Sequence, residues 1–180
     1  MGGIIYKKAI TNNELHQILE LQHRNIPTSI SKEEKQNEGF VTVHHDFETL
    51  KTMNDACAHS IAIHNNEVIG YALSMVKDFK DAIAVLKPMF QEIEISIKPM
   101  VRYIVMGQVC VDKPYRKQGI FRGLYEFMRL NLKPDFDFVI TEVDAKNTRS
   151  LNAHYAIGFK VLKTYISNNQ KWVLLSWSWR

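Results

Sequence analysis

Between Val109 and Leu124 the chain reads Val109-Cys110-Val111-Asp112-Lys113-Pro114-Tyr115-Arg116-Lys117-Gln118-Gly119-Ile120-Phe121-Arg122-Gly123-Leu124. A β-branched stretch passes through a proline-containing turn into the first turn of an amphipathic helix. The first N–H groups of a helix have no internal acceptor, and the helix dipole adds partial positive charge at that end. Such an end binds phosphate when the backbone can be approached closely. Gly119 has no side chain to obstruct a diphosphate, and Arg116, Lys117 and Arg122 add charge around it. Six basic residues fall between Lys113 and Lys133, namely Lys113, Arg116, Lys117, Arg122, Arg129 and Lys133. Their clustering says more about an anion site than the modest net charge of +4 does.

Other residues carry proton chemistry. Glu142 and Asp144 stand two apart in an extended segment, so they share one face. His154 and Tyr155 are neighbours in a helical segment, about 100° apart around its axis, so only one of them faces a given cleft. His44, His45 and Asp46 form a further group, equally readable as exposed loop residues. The seven histidines are otherwise scattered, and His44-His45 has neither helical i,i+4 spacing nor a cysteine partner, so no metal is expected.

The elements that must position these residues follow from patterning. Ile4–Ile10 reads as a first strand. Thr11 with Glu14 forms a capping box, followed by Leu15, Ile18, Leu19 and Gln22 at helical spacing before Pro27. Ser31 with Glu34 suggests a second helix, Gly39–His45 is open, and Asp46 caps a helix through Met53. Ser60–His64 and Glu67–Met75 form a hairpin around Asn65-Asn66. From Lys77 to Met100 the pattern blurs: Ala82, Leu86, Met89 and Phe90 are helically spaced but interrupted by Pro88, and Ile93, Ile95 and Ile97 alternate as in an extended piece. Val101–Val111 is a strand, and Ile120, Leu124, Phe127 and Met128 mark one face of the next helix. Asp137–Asp144 is a strand, Asn147 caps a short helix stopping at Gly158, and strands at Lys160–Ser167 and Lys171–Trp179 flank a Ser-Asn-Asn-Gln turn. The expected fold is α+β: one domain over 1–180, with a mixed central sheet of about seven strands flanked by helices and one parallel strand-helix-strand crossover.

Two segments together resemble the GCN5-related N-acetyltransferases. Arg116 and Gly119 match the first two fixed positions of that family's coenzyme A motif, Arg/Gln-x-x-Gly-x-Gly/Ala, while Phe121 stands at the third. About thirty residues on, Asn147, Ser150, Gly158 and Phe159 match Asn-x-x-(Ala/Ser)-x-x-x-Tyr-x-x-x-Gly-Phe, with His154 in the tyrosine position and Tyr155 beside it. The resemblance covers the second half of the chain well and the first half by element order. It implies a single GNAT-like domain that takes acetyl-coenzyme A as cosubstrate and transfers acetyl directly to an amine of a small-molecule or peptide acceptor.

On this reading Val109, Cys110 and Val111 offer backbone to the pantetheine arm. Arg116, Lys117, Gln118, Gly119, Ile120, Phe121, Arg122 and Gly123 form the pyrophosphate turn, and Asn147 and Asn152 meet the pantetheine amides. His154, as an imidazolium, or Tyr155 protonates the departing thiolate. Glu142 or Asp144 is the base, with the His44–Asp46 group and a water route as alternatives; Gln108 stands where relatives carry a glutamate. A silent coenzyme A-binding sensor and a basic nucleic-acid-binding module are the rival readings.

The remaining composition is that of an ordinary domain: 180 residues, 46% apolar and 23% charged. No apolar run approaches a bilayer span, no secretory signal precedes the first strand, and Cys57 and Cys110 form no redox motif. A cytoplasmic protein without membrane or nucleic-acid partners is expected. Trp172, Trp177 and Trp179 are read as core, or else as part of a homodimer interface.

Overall fold

Local signals in the sequence terminate the elements as anticipated. The Glu14 N–H donates to Thr11 Oγ1 at 3.2 Å and the Thr11 N–H donates back to Glu14 Oε2 at 3.0 Å, closing the capping box of helix α1, Asn12–Asn25. Asp46 caps α2, Phe47–Ala56, by accepting from the Thr49 N–H at 2.7 Å. Asn65 and Asn66 take positive φ of 50° and 65° in the turn between β2, Ser60–His64, and β3, Glu67–Met75. The computed structural model describes residues 3–25, 44–81 and 83–180. The expected Ser31–Glu34 helix and the 39–43 part of the ambiguous segment lie outside the described residues.

One expectation is corrected. Lys87–Ser96 is a helix, α3, with Pro88 in its first turn, where a missing N–H costs nothing. The apparent alternation of Ile93, Ile95 and Ile97 is therefore no strand. Ile93 is buried, Ile95 is exposed, and only Ile97, the C-cap, is extended. Short 3-10 turns at Lys77–Lys80 and Ala84–Leu86 lead into it.

The remaining elements are β1 (Ile5–Lys8), β4 (Tyr103–Val111), α4 (Ile120–Leu132), β5 (Phe138–Asp144), α5 (Thr148–Ile157), β6 (Lys160–Ser167) and β7 (Gln170–Ser178). They build one α+β domain around a seven-stranded sheet in the order β1-β2-β3-β4-β5-β7-β6, in which only β4 and β5 run parallel. One face is covered by α1, α2 and α3 over a core containing Leu21, Leu50, Tyr71 and Phe90. The other is covered by α4 and α5 over Leu124, Tyr125, Met128 and Phe159. Trp179 is buried in that second core, with Trp177 packed against it. Among the described residues no helix is long and apolar enough to cross a membrane.

Two features of the central strands position the site. Leu73 pairs with Gln108 and Ser74 with Met106, so Gly107 is an extra residue in β4. This bulge reverses which side chains face which layer. Tyr103 and Val105 face the α1–α3 side before it and Cys110 faces that side after it, while Ile104, Met106, Val109 and Val111 face α4 and α5. The second feature is brevity: β4 and β5 pair at only three positions, from Tyr103↔Phe138 to Val105↔Ile140. Beyond them β4 stays with β3 up to Val111, and β5 stays with β7 up to Asp144. The two parallel strands therefore part, and the sheet opens between them.

Buried histidines hold the α1–α3 side together. The Ser74 N–H donates to His59 Nδ1 at 3.1 Å, which leaves Nε2 to donate to the Leu50 carbonyl at 3.2 Å. Burial holds the His59 pKa down at about 4, and burial likewise holds His45 at about 4. Both rings fold neutral while their unfolded pKa lies near 6.5, so the unfolded chain binds more protons as pH falls. Their stabilising contribution is complete above about pH 6.5 and is lost on going down towards pH 4. Urea unfolding followed across that window should show stability falling by at most about 3 kcal/mol per ring. A flat profile between pH 7 and 4.5 would contradict this assignment.

Candidate active site

The turn after β4 is built to present backbone. Asp112 accepts from the Lys113 N–H at 2.9 Å, a short 3-10 turn spans Lys113–Tyr115, and Lys117 and Gly119 take positive φ of 62° and 81°. Gly119 is the N-cap of α4, and a Cβ built on it would meet nothing within 4 Å. The backbone is thus open at the point where the helix leaves its first N–H groups without intrahelical acceptors. Above it lies a cavity of about 320 Å³, walled by the end of β4, the start of α4 and one face of α5. Val109, Cys110, Val111, Arg116, Lys117, Gly119, Ile120, Phe121, Arg122 and Asn147 all line it.

Three residues expected there do not. Gln118 turns its amide back to the Pro114 carbonyl at 2.9 Å, and Asn152 is exposed on α5. Gly123 serves packing: a Cβ on it would lie 2.2 Å from Tyr6 Oη, so the missing side chain makes room for the β1 tyrosine against α4. Sequence reasoning missed others, including Asn25, Tyr115, Arg149, Ala153 and Ala156. Ala153 and Ala156 stand three apart, a helical small-residue face that was readable in principle.

Arg116 is braced. Its Nε–H donates to the Val111 carbonyl at 3.1 Å and its Nη2 donates to Asn25 Oδ1 at 2.6 Å, tying the turn to the end of α1. Arg122 donates to the Ala156 carbonyl at 2.5 Å, closing the cavity mouth between α4 and α5. Arg129 turns away towards Glu126 at 2.8 Å and lies over the Trp177 ring. The basic residues thus split between the turn and other tasks instead of forming one stripe.

A second, narrower space of about 60 Å³ lies where β4 and β5 part, lined by Gln108 and Val109 on one side and Thr141 to Asp144 on the other. Asn147 and Ser150 line both spaces, so the passage adjoins the cavity at the start of α5. Asn147 caps that helix by accepting from the Ser150 N–H at 3.1 Å. Glu142, Asp144 and Trp172 bring the passage out on the α1–α3 face of the sheet. Gln108 is buried beside it and accepts from the Tyr71 hydroxyl at 2.7 Å.

The titratable groups are sharply differentiated. Burial pushes the Glu142 carboxyl up to about 7, against the opposing effect of a hydrogen bond from the Tyr165 hydroxyl. His154 is 1% exposed. Its Nδ1 lies 2.7 Å from the Ser150 carbonyl, which can only accept, so that nitrogen carries the proton. Its Nε2, 2.7 Å from Tyr125 Oη, is then the acceptor of the tyrosine O–H. Burial holds its pKa at about 4, against the bond to Ser150. The ring is therefore neutral, and the imidazolium expected at this position is not the form the geometry stabilises. Tyr155 is 42% exposed and lines neither space. His44 stacks edge-on with His23, and His45 is buried against Gln22, so that group stands on α1, outside both spaces. Among the described residues no cluster of three or more His, Cys, Asp or Glu could hold a metal ion.

Phe121 stands where the coenzyme motif has a small residue. Its ring packs edge-to-face on Tyr125 at 5.2 Å and on His154 at 5.1 Å, filling the gap between α4 and α5.

The model of the acetyltransferase (GNAT) family matches residues 14–159, and with it both motif segments and the parted strands. The chain belongs to this family. No curated protein matches it. Solved structures with the same fold include the ribosomal-protein-S18-alanine N-acetyltransferase from Escherichia coli, at 14% identity and TM-score 0.65, covering 98% of this chain and 94% of that one. Arabidopsis thaliana NAA60 in complex with acetyl-CoA is similar at 14% identity and TM-score 0.67, covering 98% and 99%. The NatC complex bound to Gag peptide and CoA is similar at 17% identity and TM-score 0.68, covering 97% and 98%. At these identities the likeness is one of fold.

The His154–Tyr125 bond makes a direct test. Tyr125→Phe leaves a buried imidazole nitrogen without its donor and should cost about 1–3 kcal/mol in urea unfolding. Adding His154→Leu should cost less than the sum of the two single changes, by at least about 0.5 kcal/mol. Strict additivity would show that the pair is not coupled.

Proposed function

We propose that this GNAT-family protein is an acetyl-coenzyme A-dependent N-acetyltransferase that acylates an amine of a small molecule or peptide, with Glu142 as the general base. The observation that carries this reading is the passage between β4 and β5, which shares Val109, Asn147 and Ser150 with the phosphate-suited cavity and is lined by a carboxyl with a pKa of about 7 on the opposite face. The residues present fit the coenzyme. Gly119 opens the backbone over a cavity of suitable size, α4 offers its first N–H groups, and Lys117 and Arg122 supply cations at the rim. When bound, acetyl-coenzyme A supplies an acetyl group activated as a thioester.

The chain's own contributions follow from position. Val109–Val111 present strand backbone along the cavity, suited to pairing with an extended arm. Asn147 and Ser150 mark the start of the passage, and the apolar wall of Ile120, Phe121 and Ile157 keeps water away. Glu142 accepts the proton that the acceptor amine must shed. A carboxyl of about 7 suits work near neutral pH and gives that proton up downhill to a thiolate of ordinary pKa, near 8.5. His154 pins the first turn of α5 through Ser150 and holds no proton to spare.

A second reading, a coenzyme A-binding sensor on the same fold, draws on the neutral, fully engaged His154. Calorimetry with acetyl-coenzyme A and thiol release over an amine panel separate the two. Gly119→Glu places a side chain at positive φ and a carboxylate at a helix N-terminus facing phosphate, and should weaken coenzyme binding at least about tenfold. Glu142→Gln should leave that affinity within about twofold while lowering kcat about 10²- to 10⁴-fold. Equal affinity of wild type and Gly119→Glu would sink the phosphate-turn assignment. Tight binding with no turnover on any amine would favour the sensor.

A further inference from the structure

Outside the coenzyme cavity, one contact stands apart: the hydroxyl of Tyr165, on the outermost strand, donates to Glu142 Oε2 two strands away. The register of β6 explains how it reaches. Val161 pairs with Leu175, but Lys163 pairs with Leu174, so Leu162 is an extra residue in β6. Without that bulge the alternation would set Thr164 opposite Trp172. With it, Tyr165 stands opposite Trp172, and Trp172 stands opposite Asp144 on the other side of β7. Glu142, Asp144, Trp172 and Tyr165 therefore share one face, and the bulge re-aims the tyrosine at the carboxyl.

We propose that Tyr165 is the positioning residue of Glu142, holding one carboxylate oxygen with its hydroxyl so that the other is left for the acceptor amine and the charged form is favoured against its burial. The inference rests on the reading of Glu142 as the base. Among the described residues the surroundings leave this task to Tyr165. From β5, Asp144 is a like charge that cannot favour ionisation. From β6 and α3, Lys163 and Glu92 lie 2.5 Å apart, a contact of opposite charges without directed hydrogen-bond geometry, and they neutralise each other. Gln108 from β4 and Trp172 from β7 are uncharged, and His154 from α5 is neutral. The hydroxyl bond is the effect that lowers the Glu142 pKa against burial. Glu142 in turn, after burial, keeps the Tyr165 phenol protonated and able to donate.

The test is Tyr165→Phe, which keeps the ring and removes the hydroxyl. The Glu142 carboxyl is titrated by carbon NMR on glutamate-labelled protein, with its signal assigned by Glu142→Gln. Its midpoint should move up by about one pH unit, the size expected from losing a hydrogen bond to the charged form. With acetyl-coenzyme A and an accepted amine, the acid limb of kcat/KM should move up by the same amount. Turnover at pH 7 should then fall severalfold and return towards wild type near pH 9, with acetyl-coenzyme A affinity unchanged. An unmoved Glu142 midpoint overturns the proposal whatever the activity. A uniform loss of rate without a shifted limb also overturns it, since that is the mark of a merely structural residue. A wild type inactive on every amine, with the Glu142 midpoint still raised in Tyr165→Phe, sinks the transferase reading and leaves the Tyr165–Glu142 pair standing.

Discussion

The structure turns on two parallel strands that stop pairing. β4 and β5 share three register positions and then separate, each keeping its antiparallel neighbour on the other side. A sheet seldom gives up central ladder bonds, because buried N–H and C=O groups without partners are costly. Here the bulge at Gly107 supplies the local twist, and the opening gives backbone groups access to a ligand and to the passage. The unmade pairing is thus both the weak point of the sheet and the reason a site can exist in its middle. The helices follow from it, since α4 and α5 grow from the ends of the two parting strands and converge over the gap.

That geometry divides the chemistry by face. On the α4 and α5 side the chain offers helix N–H groups, Lys117, Arg122 and an apolar wall, a combination suited to a long anionic ligand with an apolar arm. On the α1–α3 side it offers Glu142 and Asp144 with Trp172 beside them. The bulge in β4 assigns its side chains to these faces: unbroken alternation through Gly107 would turn Gln108 and Cys110 towards α4 and α5 and Val109 away from them. Two of the strand bulges, at Gly107 and Leu162, do parallel work, since each sets which side chains face the passage.

Much of this was legible in the sequence, for identifiable reasons. Capping boxes, Asn-Asn turns and period-two alternation are local signals, and they placed α1, α2, the β2–β3 hairpin and the whole second half of the chain. The turn that opens on Gly119 was legible because a glycine at a helix start, flanked by cations, is also a local signal. The failures are non-local or competing. Ile93 and Ile95 alternate as in a strand, yet Pro88 opens a helix, and helical spacing with Met89 and Phe90 prevails. Gly123 reads locally as part of the phosphate approach, but its missing side chain makes room for Tyr6, more than a hundred residues earlier. Tyr125 was invisible as a core residue because a tyrosine beside Leu124 and Met128 carries no sign of its partner, and that partner is His154. Tyr165 could not be reached at all, because no sequence pattern announces the bulge at Leu162.

The exchange at Phe121 and His154 is best understood as a single packing event. A large ring at the third motif position must be accommodated between α4 and α5, and it is accommodated edge-to-face on His154 and Tyr125, with Phe159 closing the group at 5.1 Å from each. Within such a group an imidazole is desolvated, and the charged form loses more than one hydrogen bond to a carbonyl restores. Its single proton is then fixed on Nδ1, directed at Ser150, and its lone pair is occupied by Tyr125. The residue that alignment of motifs would make the acid has become part of the wall. Along the passage, burial brings the pKa of the Glu142 carboxyl near neutrality instead. The aromatic packing on one face of the sheet and the Tyr165–Glu142 bond on the other are therefore two halves of one arrangement: the first occupies both ring nitrogens of His154, and the second holds one oxygen of the Glu142 carboxyl.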